Sequence, residues 1–216
     1  MSKVSDLILE ENVDILGKML NHPFVNAIFD GSLPADAYHR YLVYEGAFVE
    51  TAISIYAYAT AKAPDLAAKR WLIGIQDALA RDQMPYFEET FADLSIEPET
   101  AIPELVQVFG QGMLEVARTG DFVEIVTAMF AAEWMYWTWC SRASECSIAD
   151  PCVRRWVELH ADADFAAQAR WLKEAVDHHA EPEDRSRLSA VFRRVMELEI
   201  AFHHAPLKAG LGKTVA

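Results

Sequence analysis

Across 216 residues, 33 aspartates and glutamates outnumber 19 lysines and arginines, leaving a formal charge of −14 and a pI near 4.8. Nucleic-acid affinity comes largely from Lys and Arg displacing counterions from phosphates, so this balance excludes a DNA or RNA partner from the expectations. A hydrophobic fraction of 52% with 24% charged residues is too apolar for disorder, and the length suits one globular domain with a sizeable core.

The segment Met1-Ser2-Lys3-Val4-Ser5-Asp6-Leu7 lacks the basic region and apolar run of a secretory signal, and charges interrupt every long apolar stretch. The expectation is a cytoplasmic protein without a membrane partner. Cys140, Cys146 and Cys152 are spaced six apart, match no usual zinc pattern and are odd in number, so they read as small hydrophobes.

Glycine and proline, nine each, fall between long stretches of helical period, which predicts an all-α chain. A first helix is expected from about Val4 to Leu20, ending at His22-Pro23, because the residue before proline is pushed out of helical geometry. Asp30-Gly31-Ser32-Leu33-Pro34 is a turn with proline at the next helix start, followed by a helix from about Ala35 to Ala61. Pro64-Asp65 opens a third, to about Leu94. Helical patterns resume at about Glu104 to Ala117 and, after Thr119-Gly120-Asp121, at about Val123 to Ser144. Ala149-Asp150-Pro151 begins a short helix to about Leu159, and Asp162 to His178 and Pro182 to about His204 complete the set. The architecture expected is a bundle of seven or eight helices in one domain over residues 1–205, with 206–216 as a loose tail.

Core helices normally hide apolar side chains and present charges to water, so a carboxylate inside an aromatic stretch carries information. Glu133 is the only charge in Phe130-Ala131-Ala132-Glu133-Trp134-Met135-Tyr136-Trp137-Thr138-Trp139, with Tyr136 and Trp137 one turn on. Desolvation there raises a carboxyl pKa and suits it to proton transfer near neutrality. Glu45 lies among Tyr41, Tyr44 and Phe48, and Glu199 has Phe202 and His203 on its helix face. Such helices in one bundle predict an interior pocket with carboxylates and aromatic walls, a common form of small-molecule site.

The runs His22-Pro23-Phe24-Val25, Asp30-Gly31-Ser32-Leu33-Pro34, Tyr41-Leu42, Ala61-Lys62-Ala63-Pro64-Asp65-Leu66 and Glu197-Leu198-Glu199-Ile200-Ala201-Phe202 resemble, in order and spacing, the successive motifs of the TenA/thiaminase II family. The resemblance covers about residues 5 to 205. It implies the all-helical haem-oxygenase-like fold, usually without haem, a homotetramer or dimer, and hydrolysis of aminopyrimidines related to thiamin for salvage. Where the cysteine-bearing branch has Pro-Cys-x-Trp-x-Tyr, this chain has Ala131-Ala132-Glu133-Trp134-Met135-Tyr136, and Ala132 cannot act as a nucleophile. The run is instead similar to the branch that lacks the cysteine, in which a Glu precedes a Tyr by three. Glu45 stands where the family commonly has Asp, Phe48 and Phe109 where it often has Tyr, and His160 where the cysteine branch has Tyr.

From the resemblance, Glu199 would hold the pyrimidine ring nitrogen and adjacent amino group, and Glu45 the other amino edge. Tyr136 would orient a carboxylate or donate to the substrate, and Phe48 and Phe109 would stack on the ring, with Tyr44 and His160 completing the binding residues. Glu133 would activate water or carry the proton to a leaving amine. No metal or cofactor is expected. Two other readings stay open. A di-iron oxidase on the same fold would draw on the His160/Asp164 and Glu199/His203 pairs with Glu45 and Glu50. A catalytically silent pyrimidine-binding or regulatory protein would act without a basic recognition helix.

Overall fold

The structure, a computed structural model, describes residues 3–98 and 102–208, and among these residues every regular element is helical. The expected first helix is divided into α1 (Val4–Glu11) and α2 (Val13–Leu20) at Asn12. The buried Asn12 amide donates to the Ile8 carbonyl at 2.9 Å and to Ser189 Oγ at 2.9 Å. A side chain that competes for helix carbonyls breaks the register. Pro23 then starts α3 (Pro23–Phe29), whose first turn is capped by His22 Nδ1 accepting from the Phe24 amide. Gly31, at φ +65°, makes the left-handed turn that leads through Pro34 into α4 (Ala35–Lys62).

The expected helix over 65–94 is also divided. It comprises α5 (Leu66–Ala78), a π-helical turn (Leu79–Gln83) and α6 (Met84–Leu94). Pro85 has no amide hydrogen to return to residue 81, and the wider π turn absorbs the missing bond. The remaining helices are α7 (Glu104–Thr119), α8 (Phe122–Ala143), α9 (Pro151–Ala161), α10 (Ala163–His179) and, after a 3-10 turn at Pro182–Asp184, α11 (Arg185–Lys208). Among the described residues the eleven α-helices exceed the expected seven or eight because of the breaks at Asn12 and Pro85 and the added short α3. The α11 helix ends at Lys208, four residues beyond the expected end, with Pro206 inside its last turn, so residues 206–208 of the expected tail are helical; residues 209–216 lie outside the described residues.

Four starts rest on aspartate caps. Asp65 accepts from Ala68, Asp121 forms a capping box with Glu124, Asp150 accepts from Cys152 and Val153, and Asp162 accepts from Phe165. At the centre, α8 buries residues around most of its circumference, from Phe122 and Ile125 through Met135, Trp139 and Cys140. It packs against α7, α9, α10 and α11, while α11 also meets α1, α2, α4 and α7. The three singled-out glutamates lie well inside α4, α8 and α11, and α9 and α10 pack against α8 beside them. No helix among the described residues is long and apolar enough to cross a membrane.

Candidate functional site

The α8 helix sets Glu133 toward α4 and α10 rather than outward. Its Oε1 accepts from the Tyr56 hydroxyl at 3.2 Å and from the Gln168 amide at 2.9 Å. Burial is the main cause that pushes its carboxyl up to about 7. The His160 charge and the two donors pull against that rise, and the Glu45 charge adds to it.

Glu45, on α4, is 8% exposed and held at both oxygens. Trp156 Nε1 donates to Oε2 at 2.7 Å, and His160 Nε2 lies 3.4 Å from Oε1. Burial alone would lower the His160 pKa; the Glu45 bond and charge and the Trp156 carbonyl outweigh it and raise the pKa. Glu45 thereby favours the protonated imidazole, whose Nδ1 lies 2.9 Å from the Trp156 carbonyl oxygen.

Glu199, on α11, is wholly buried, and neither carboxyl oxygen has a hydrogen-bond partner among the described residues. Burial first, then the charges of Glu45 and Glu133, hold its pKa well above the usual carboxylate range, which favours the protonated form. The Tyr136 phenol is near enough to weigh slightly the other way without reaching hydrogen-bond geometry; its bond is to the Tyr41 hydroxyl at 3.0 Å. His203 sits one turn beyond Glu199 with its Nδ1 2.9 Å from the Glu199 carbonyl oxygen, and burial lowers its pKa to about 3. Its Nε2 is another buried atom without a partner.

Rings join these groups. The Tyr136 ring lies 5.5 Å from both His160 and His203, and Tyr41 lies 5.5 Å from Trp156. Phe202 connects outward to Phe109 at 4.8 Å, and Phe109 to Phe48 at 4.6 Å. Phe48 and Tyr44 line a cleft of about 250 Å³ between α4 and α7, with Val106, Gly110 and Leu114 on its other wall. The structure thus brings Glu45, Glu133, Glu199, Tyr136 and His160 into one interior cluster and sets Phe48, Phe109 and Tyr44 on its outer, aromatic side. Glu50 and Asp164 are exposed and take no part. Among the described residues no three His, Cys, Asp or Glu side chains are grouped to hold a metal ion. Cys140 is fully buried one turn beyond Tyr136, and burial, then Glu45, raises its thiol well above the ordinary value.

Sequence reasoning missed Tyr56, Trp156 and Gln168. Gln168 carries the same kind of signal that singles out Glu133, being a polar side chain in Phe165-Ala166-Ala167-Gln168-Ala169, but no charge drew attention to it. Trp156 precedes His160 by one helical turn and reads from sequence as an ordinary core residue.

The raised Glu133 pKa has a measurable consequence for stability. The folded protein keeps this proton up to about pH 7, whereas an unperturbed glutamate loses it near 4.5. The stabilisation is therefore complete below 4.5 and is lost as pH rises through 7. Thermal unfolding from about pH 4 to 8 is expected to show the parent protein losing Tm relative to Glu133→Gln as pH rises. Parallel curves would mean that folding does not change the proton affinity of Glu133.

Comparison with known proteins places the chain in a group. An aminopyrimidine aminohydrolase from Halalkalibacterium halodurans is 24% identical over 191 residues, spanning 84% of this chain and 85% of the relative. A TenA homologue from P. horikoshii OT3 superposes with a TM-score of 0.88 at 18% identity, covering 97% of this chain and 100% of the other. A domain of unknown function with a heme oxygenase-like fold, from Shewanella denitrificans, superposes with a TM-score of 0.76 at 13% identity, covering 97% of this chain and 94% of the other. The fold expected from the resemblance is therefore the fold observed. The TENA/THI-4/PQQC family model matches residues 10–208, a span that takes in all the helices bearing the carboxylate cluster, and the chain belongs to that family.

Proposed function

We propose that the protein is a hydrolase of aminopyrimidines related to thiamin. In this reading it acts on the aminomethyl or formylaminomethyl arm of a 4-amino-2-methylpyrimidine and uses carboxylates in place of a cysteine nucleophile. The observation that carries the reading is Glu199, fully buried with neither oxygen hydrogen-bonded among the described residues, His203 Nδ1 standing 3.5 Å from its Oε2 while bonded to the Glu199 carbonyl oxygen. A buried polar group without partners costs about 1–3 kcal/mol, so its retention calls for a ligand. In its protonated form this carboxyl offers a donor and an acceptor side by side. That pair complements a ring nitrogen next to an exocyclic amino group, the edge that a 4-aminopyrimidine presents. The name of the Halalkalibacterium halodurans relative points to the same class of substrate.

The other residues supply what the reaction then needs. Glu45, anchored by Trp156 and His160, keeps lone pairs to accept from a second N–H of the substrate. Phe48 and Phe109 provide apolar faces for the ring. Glu133, near half-ionised at pH 7, takes a proton from water as the water oxygen bonds to the arm carbon. With the aminomethyl arm, the carbon–nitrogen bond breaks and nitrogen leaves as ammonia once it receives a proton. With the formylaminomethyl arm, water attacks the formyl carbon and the products are formate and the amine.

A cysteine-independent reaction makes Cys140 dispensable, since burial keeps its thiol protonated and inert. Cys140→Ala is expected to keep kcat within about twofold of the parent while losing about 1 kcal/mol of stability from the smaller side chain. A loss of activity of a hundredfold would instead assign the chemistry to the thiol. The reading as a whole is tested by incubating purified protein with the aminomethyl- and the formylaminomethyl-pyrimidine and following product. Turnover of at least one is expected. No turnover of either, with Glu133→Gln and Glu199→Gln behaving as the parent, would overturn it.

A further inference from the structure

The hydrogen bonds at Glu133 are one-sided. Gln168 Nε2 carries two hydrogens, and it has two acceptors in reach: Glu133 Oε1 at 2.9 Å and the Tyr56 hydroxyl oxygen at 3.3 Å. With its oxygen accepting from Gln168, Tyr56 directs its own hydrogen to Glu133 Oε1 at 3.2 Å. The three groups close a ring contributed by α4, α8 and α10. The opposite amide orientation would set the Gln168 carbonyl oxygen against a carboxyl oxygen, so the ring also fixes which way the amide points. Among the described residues, every hydrogen bond to this carboxyl falls on Oε1.

We propose that Gln168 is a positioning residue that reserves Glu133 Oε2 as the atom exchanging the proton with water or the leaving group. A proton on Oε1 would meet two donors head-on, so the neutral acid carries its hydrogen on Oε2, and that oxygen accepts the proton when the carboxylate acts as a base. The amide also restrains the carboxyl plane against rotation, which would otherwise exchange the two oxygens. The groups that bear on Glu133 from the surrounding helices are Tyr56 and Glu45 on α4, His160 on α9, Gln168 on α10 and Glu199 on α11. Of these, His160, Gln168 and Tyr56 favour the ionised form and Glu45 opposes it. Removing the Gln168 donor therefore moves the titration upward.

This role rests on the aminopyrimidine reading for its chemistry, but its test does not require turnover. The carboxyl carbon of Glu133, labelled with carbon-13 and assigned by its disappearance in Glu133→Gln, can be titrated by NMR in the parent and in Gln168→Leu. A midpoint near 7 in the parent is expected to rise by about one pH unit in the variant. With an active enzyme, kcat at pH 7 should fall about fivefold, as the ionised fraction does, with KM held within about twofold and the acid limb of the pH profile displaced by the same amount. Should Gln168→Leu fail to fold, Tyr56→Phe removes the other donor of the ring and should move the midpoint in the same direction. An unmoved midpoint in the folded variant overturns the positioning role, whatever the turnover. A displaced midpoint in a protein that hydrolyses neither pyrimidine upholds the ring and sinks the functional reading alone.

Discussion

Glu133→Gln is expected to lower kcat by about 10²–10⁴ while leaving KM within a few fold, the loss typical of removing a general base. The geometry makes this substitution informative. Glutamine keeps an oxygen where Tyr56 and Gln168 donate, so the ring that holds the side chain survives. What disappears is an oxygen able to accept and return a proton. Burial raises the parent carboxyl to about 7, so the same variant should abolish the acid limb of the pH–rate profile near neutrality. A variant with parental kcat would move the base elsewhere in the cluster.

The second large effect separates stability from function. Glu199→Leu is expected to lower kcat/KM by about 10²–10³ through loss of the paired donor and acceptor. The same change should stabilise the folded protein by about 1–3 kcal/mol, because it removes two buried oxygens that have no hydrogen-bond partner among the described residues. For a chain of this length each kcal/mol corresponds to roughly 2–4 °C in Tm. A carboxyl retained only for structure would behave in the opposite way, with its removal destabilising. Melting curves and steady-state kinetics on one preparation distinguish the two. The pattern of a destabilising group kept at a site is the usual trade-off between stability and activity.

Much of the fold could be read from the chain because its punctuation is local. Asp65, Asp121, Asp150 and Asp162 announce helix starts within three residues of themselves, and each makes the cap it suggests. The break at Asn12 was not legible, since one of its partners is Ser189, 177 residues away. Pro85 did carry a local signal, since a proline inside a helix leaves one backbone bond unmade, yet the expected helix over 65–94 ran through it. The carboxylates followed the same division. Glu133 and Glu199 stood out as charges on apolar faces, which needs only helical period. The hydrogen bonds that hold Glu133 and Glu45 come from other helices: Tyr56 and Gln168 stand 77 and 35 residues from Glu133, and Trp156 stands 111 residues from Glu45. A hydrogen-bonded ring closed across three helices leaves no periodic trace in any one of them.

The acid excess of the chain fits this picture only indirectly. Most of the charged side chains are solvated, whereas Glu45 and Glu199 are buried and Glu133 is partly so. The net charge limits the partners; the few desolvated carboxyls define the chemistry proposed for the interior.

In the proposed function the buried Glu199 carboxyl recognises the edge of an aminopyrimidine. A crystal structure with 4-amino-5-hydroxymethyl-2-methylpyrimidine tests it most directly. The ring nitrogen and its neighbouring amino nitrogen should lie about 2.6–3.2 Å from the two Glu199 oxygens, with the 5-substituent turned toward Glu133 Oε2. A pyrimidine bound elsewhere, with both Glu199 oxygens still lacking a partner, would contradict the account.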